Sequence, residues 1–160
     1  MKKNKGFTLI ELLAVIVILA IIALIASPII IGLIDDARKE AAASSAHGIL
    51  KASENVFAKV LMKSGDGLSK ELKYEFGANG AVTISALTTA PDTWTEMDSE
   101  NVVTTLGTGM TMESIQLDYN GTKPTEGSIT IDTTGQATVV TDLRINNFNC
   151  EYKNKNFDCN

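Results

Sequence analysis

The chain has 160 residues, 14 Lys+Arg against 19 Asp+Glu, a formal net charge of −5, one His and two Cys. That length holds one domain and an appendage. The acidic balance, which becomes −8 once Lys2, Lys3 and Lys5 are set aside, argues against direct nucleic-acid binding and against strong attraction to anionic lipid headgroups.

The first element is apolar. From Leu12 to Ile34 there are 23 residues without a charge, roughly 35 Å of helix and enough for a bilayer core. Lys2, Lys3 and Lys5 precede it, and Glu11 stands at its start. A cleaved secretory signal has a shorter apolar run and small residues before the cut, whereas a cut after Ala26 would leave Leu24 at the third position back. A plain transmembrane anchor keeps its lysines in the cytoplasm but leaves Glu11 unexplained, because a carboxylate within a span is costly.

The stretch "KGFTLIELLAVIVILAIIALIASPI" resembles the N-terminus of type IV pilins and pseudopilins. That pattern is a short basic leader ending in Gly, then Phe, a Glu five residues into the mature chain, and about 20 apolar residues; Gly6, Phe7, Glu11 and the later Pro28 match it. The resemblance implies a leader over residues 1–6, removed between Gly6 and Phe7 by a membrane-embedded prepilin peptidase, followed by N-methylation of Phe7. It implies that Glu11 pairs with the new Phe7 amine, in its own or a neighbouring subunit, and sets assembly register. An unpaired carboxylate in a low-dielectric helix bundle costs several kcal/mol. The implied partners are further copies of the chain in a helical filament, an assembly platform and its ATPase. The implied location is the cytoplasmic membrane, then the cell surface. The chain departs from many members of the family at Ala20, where they carry Gly.

The next element is amphipathic. Pro28 lacks an N–H and clashes with the preceding turn, so a kink is expected there, with Gly32 a second weak point. Residues 7–34 are assigned to the transmembrane and filament-core part, and residues 35–64 to an amphipathic half. In that half Ile49, Leu50, Val56, Phe57, Val60 and Leu61 share a face, and "EAAASSA" is small enough for close packing. Gly65 and Gly67 are stop signals. His47 reads as a packing or surface residue, and Asp35-Asp36 and Asp98/Glu100 as solvated or capping acids.

Residues 65–160 turn to strands. "ELKYEF" alternates Leu72, Tyr74 and Phe76; "GAVTISAL" follows an Ala-Asn-Gly turn; "SIQLDYNG" alternates Ile115, Leu117 and Tyr119; "GSITIDTTGQATVVTDLRINNF" reads as a hairpin bent at Thr-Thr-Gly. Four or five antiparallel strands packed on the helix are expected, an α+β fold. A short helix is expected over about 99–106, and Trp94 as a loop residue capping the sheet. Cys150 and Cys159 suggest a disulfide in an oxidising compartment; the resemblance supports this, although the corresponding loop in many pilins is longer. The intervening Tyr152, Lys153, Lys155 and Phe157 read as a solvated loop or an adhesive tip. No Gly-rich phosphate loop, nucleophile elbow or metal-ligand cluster is found, so no enzyme activity, cofactor or metal is expected. The expected function is that of a pilus subunit serving adhesion, motility or DNA uptake. The alternatives are a pseudopilin of a secretion or competence system and a monomeric membrane-anchored binding domain.

Overall fold

The computed structural model describes residues 6–65, 69–89 and 93–160. The first five residues of the expected leader and the Gly67 stop lie outside these ranges. The chain falls into two compact units, Met1–Arg38 and Lys39–Asn160.

The first unit holds the beginning of helix α1, Leu9–Ser64. Apolar residues occupy every side of the helix here, so no single face is marked for a core. Its large apolar side chains from Phe7 to Ile34 are all 45–89 % exposed. At about 1.5–3 kcal/mol for each fully exposed large apolar side chain, leaving them in water would cost on the order of tens of kcal/mol. The helix is long and apolar enough to cross a membrane. It stays helical through Pro28, which has no N–H to offer the Leu24 carbonyl. Beside it, the Ser27 hydroxyl donates to the Ala23 carbonyl at 2.7 Å, a back-bond of the kind that bends helices.

The second unit is the α+β body. Residues 39–64 of α1 pack on an antiparallel sheet of seven strands among the described residues: β1 Leu72–Gly77, β2 Ala81–Thr89, β3 Thr93–Glu96, β4 Glu126–Ile131, β5 Ala137–Ile145, β6 Phe148–Lys153 and β7 Asn156–Cys159. Their spatial order is β3-β2-β1-β4-β5-β6-β7. Two meanders therefore meet at the β1–β4 pair, and the chain between β3 and β4 returns across the body. That return carries α2, Val102–Leu106, and α3, Met112–Ile115.

The buried stripe of α1 is Ala42, Ala46, Ile49, Leu50, Ser53, Val56 and Val60, recurring every three to four residues as a helix face requires. Small residues at its start let the backbone come close: the Ser45 hydroxyl accepts from the Thr122 N–H at 3.3 Å. Opposite the stripe, Leu72, Tyr74, Ile84, Ala86, Ile129, Ile131, Leu143 and Ile145 alternate along their strands and are buried. The Tyr74 hydroxyl donates to the Ile115 carbonyl at 3.0 Å, so the one polar atom of this buried ring is satisfied, and burial pushes its ionisation well above the usual phenol range. Phe57 is only partly covered, and Leu61, expected on the buried face, is 42 % exposed: the stripe ends at Val60, one turn before the helix does.

The β4–β5 bend follows its residues. Asp132 Oδ1 accepts from the Thr134 hydroxyl at 2.6 Å, the Thr134 N–H at 2.8 Å and the Gln136 N–H at 3.0 Å. These bonds, the Thr134 hydroxyl foremost, hold its carboxyl below the usual carboxylate range. Gly135 sits at φ +84, and a Cβ there would overlap the Phe57 side chain.

Three expectations are corrected. The stretch from Ile115 to Tyr119 is not a strand. The Thr111 N–H donates to Ser114 Oγ at 3.0 Å and the Ser114 N–H to the Thr111 carbonyl at 2.9 Å; these local bonds start α3, and a loop follows to Glu126. Trp94 lies on edge strand β3, paired with Leu87, and Lys73 Nζ is 5.8 Å from its ring centre. The C-terminal segment is a pair of strands, not a loop. Asn146-Asn147 and Asn154-Lys155 all have φ between +52 and +70, the geometry of two-residue hairpin turns, and Phe157 is buried. The Cys150–Cys159 disulfide joins directly opposed residues of β6 and β7, Cα atoms 4.1 Å apart. They sit beside the doubly hydrogen-bonded Asn149/Asn160 pair, at the closer spacing of a non-hydrogen-bonded pair.

Gly135→Ala should cost about 1–3 kcal/mol, because it combines left-handed strain with a clash. Gly77→Ala, at φ −121 with its nearest would-be neighbour at 4.0 Å, should change stability by about 0.5 kcal/mol or less. Unfolding of the detergent-extracted protein in denaturant measures both, and equal effects would remove the steric argument. By the same measurement, replacing both cysteines with serine should cost about 2–3 kcal/mol, the loop-closure value for a ring this short.

Candidate functional site

The residues singled out at the N-terminus converge on the first turn of α1. Thr8 stands just before the helix, with Glu11 three residues later. The Thr8 N–H donates to Glu11 Oε2 at 2.8 Å and the Thr8 hydroxyl to the same oxygen at 2.9 Å; the Glu11 N–H reaches back to Thr8 Oγ1 at 3.4 Å. This is a capping box. It satisfies backbone donors that a helix start leaves open and places a carboxylate where the helix dipole favours negative charge. Thr8 was not singled out in the sequence, although Thr-Leu-Ile-Glu ahead of an apolar run is the signal for it.

The box is lopsided. Both of its donors to the carboxylate fall on Oε2. An ionised carboxylate offers about four lone-pair sites, and among the described residues no hydrogen bond reaches Oε1. The group is thus held in place through one of its two oxygens.

Gly6 and Phe7 precede the helix in non-regular backbone, and Phe7 is 89 % exposed. A Cβ at Gly6 would meet nothing within 4 Å. Among the described residues no contact therefore asks for glycine there. The Thr8 N–H belongs to the Phe7–Thr8 peptide bond, so cleavage before Phe7 leaves the capping box intact.

The other singled-out residues lie elsewhere. Pro28 is inside α1, and Cys150 and Cys159 are at the far edge of the sheet. His47 Nε2 is 2.8 Å from Asn156 Oδ1, and its ring meets Phe157 edge-on with centroids 5.0 Å apart; Tyr152 leans on the same Phe157 at 4.9 Å. This cluster ties α1 to the β6–β7 hairpin. Asp98 Oδ1 accepts from the N–H groups of Glu100 and Asn101, both at 2.8 Å, in the turn that leads into α2.

Residues 1–27 match the family described as "Prokaryotic N-terminal methylation motif". No curated protein and no solved structure matches the chain. The match and the apolar helix behind it fit a membrane-anchored prepilin, a precursor for a prepilin peptidase and an assembly machinery. The chain thus carries the N-terminal methylation motif of type IV pilin-like and pseudopilin proteins.

Proposed function

We propose that this chain is a type IV pilin. It is cut between Gly6 and Phe7, methylated on the new Phe7 amine, held in the membrane by α1, and polymerised through that helix into a surface filament. The observation that carries the reading is the held carboxylate of Glu11 at the head of an all-round apolar, exposed helix surface. Packing such helices against one another replaces lipid contacts without exposing apolar area to water. The one ionisable side chain in this stretch of the bundle is then Glu11, whose Oε2 accepts from Thr8 and whose Oε1 can meet a cation. The Phe7 amine, of the same or an adjacent copy, is a cation at the right end of the helix. Pairing across copies works at one axial height only, so the carboxylate acts as a register key. Pro28, with Ser27 bonded back to Ala23, is where the helix would loosen on assembly. An assembly platform and ATPase drive extrusion.

The Thr8 cap also favours a second reading, because it lets Glu11 serve a single, unassembled helix. In that case the chain is a membrane-anchored surface domain. Filaments containing this chain in sheared material from the parent cell separate the two, and substitution then tests the register role. Gln can replace Glu in a capping box but carries no charge. As a register key, Glu11→Gln should lose filaments as fully as Glu11→Ala, seen in material sheared from cells that express the variant at normal membrane levels. Filament yield from Glu11→Gln equal to the parent would leave only the capping role. Mass spectrometry of the extracted protein should show a chain that begins at N-methylated Phe7; retention of Met1 in surface material would overturn the processing.

A further inference from the structure

The loop that replaced the expected strand presents a modification site. Residues 118–122 read Asp-Tyr-Asn-Gly-Thr, and Asn120 alone among the asparagines of the chain has Ser or Thr two residues on. Asn-x-Ser/Thr with x other than Pro is the acceptor sequence for N-linked sugar. The sequence is short, so the surroundings must decide whether a transferase can use it.

Those surroundings fit. Asn120, Gly121 and Thr122 are all exposed and lie outside any helix or strand. No hydrogen bond to the Asn120 side-chain amide occurs among the described residues. The loop is nonetheless fixed at its base. Tyr119 packs against the core and Pro124 is buried. The Thr122 N–H donates to Ser45 Oγ at 3.3 Å. Gly121 adopts φ +131, and a Cβ there would lie 3.0 Å from Ser45 Oγ, so the turn that lifts Asn120 outward needs glycine. Thr122 Oγ1 meets only a long 3.4 Å bond from Asn146 Nδ2, so its hydroxyl is available to a partner.

We propose that Asn120 is an N-glycosylation site taking an oligosaccharide from a lipid diphosphate donor. The Asn120 amide nitrogen attacks the anomeric carbon of the sugar. The C–N bond forms, the C–O bond to diphosphate breaks, the amide gives one proton to the transferase, and the lipid diphosphate leaves. Thr122 positions the acceptor through its hydroxyl. Asp118, exposed two residues ahead, offers a carboxylate for a cationic cleft. The apolar helix tethers the chain to a membrane, which is where such a donor resides. The inference rests on the membrane-anchored reading, with the lysines of the N-terminus on one side and the strand-rich body on the other.

The test uses full-length protein from membranes and sheared surface material of its own cell. Digestion after Glu113 and Glu126 releases residues 114–126 for mass analysis. The expected result is a peptide carrying sugar on Asn120, lost to background in Asn120→Gln and Thr122→Val, kept in Thr122→Ser and reduced in Asp118→Asn. Undiminished occupancy in Asp118→Asn would remove that residue from the site. The unmodified peptide, or one showing only the small mass gain of Asn-Gly deamidation, overturns the proposal when protease added to intact cells digests the strand-rich body. If that body is protected instead, the membrane orientation itself is wrong and the inference falls with it.

Discussion

The close approach of α1 to the loop at Asn120–Thr122, made at Ser45 and Gly48, is the contact on which the rest of the body depends. Ala42, Ser45 and Ala46 carry almost no side chain between the helix backbone and its neighbours, so the loop at Gly121 and Thr122 can hydrogen-bond straight to Ser45. One turn later the stripe widens to Ile49, Leu50, Val56 and Val60, which share one core with Tyr74, Ile129 and Leu143. The same helix carries no such stripe from Leu9 to Ile34. A helix with an apolar surface all round has no preferred neighbour of its own, and lipid or like helices suit it equally.

Much of this was legible from residue order. Leu72, Tyr74 and Phe76 alternate cleanly, and the bends at Ala78–Gly80 and Asp132–Gln136 carry the residues their backbones need. The stretch from Ile115 to Tyr119 misled because alternation over five residues is also what a helix end and a wrapped loop can show. Ser114 decides between them through bonds to Thr111, and such bonds have no periodic signature. The C-terminal hairpins were hidden for a different reason. Their turns use Asn-Asn and Asn-Lys where Asn-Gly is the familiar signal, and Lys155 tolerates a positive φ only because the strands on either side hold it there. At the N-terminus Glu11 was conspicuous as a charge out of place. Its partner Thr8 was not, since a threonine before a helix draws no attention until the carboxylate three residues later is seen to lie on it.

The geometry at Glu11 changes what an acid in an apolar helix means. A carboxylate with no partner would tend to take up a proton in a low-dielectric setting. In the isolated helix two donors from Thr8 already hold the carboxylate before any second molecule arrives. In the proposed filament, what another copy would contribute is a single further contact to a group already oriented. Specificity comes cheaply in such an arrangement, because a preorganised acceptor loses little freedom on pairing.

The disulfide at the end of the sheet has a mechanical consequence. Strands leave a sheet most readily from an edge, one hydrogen-bonded pair after another. Strand β7 is such an edge and ends at Cys159, one residue before Asn160. The bond to Cys150 closes the open mouth of the hairpin, so peeling from that end halts after the Asn149/Asn160 pair. A pull on the chain beyond Cys159 would pass through that bond into β6 instead of opening β7 like a zip.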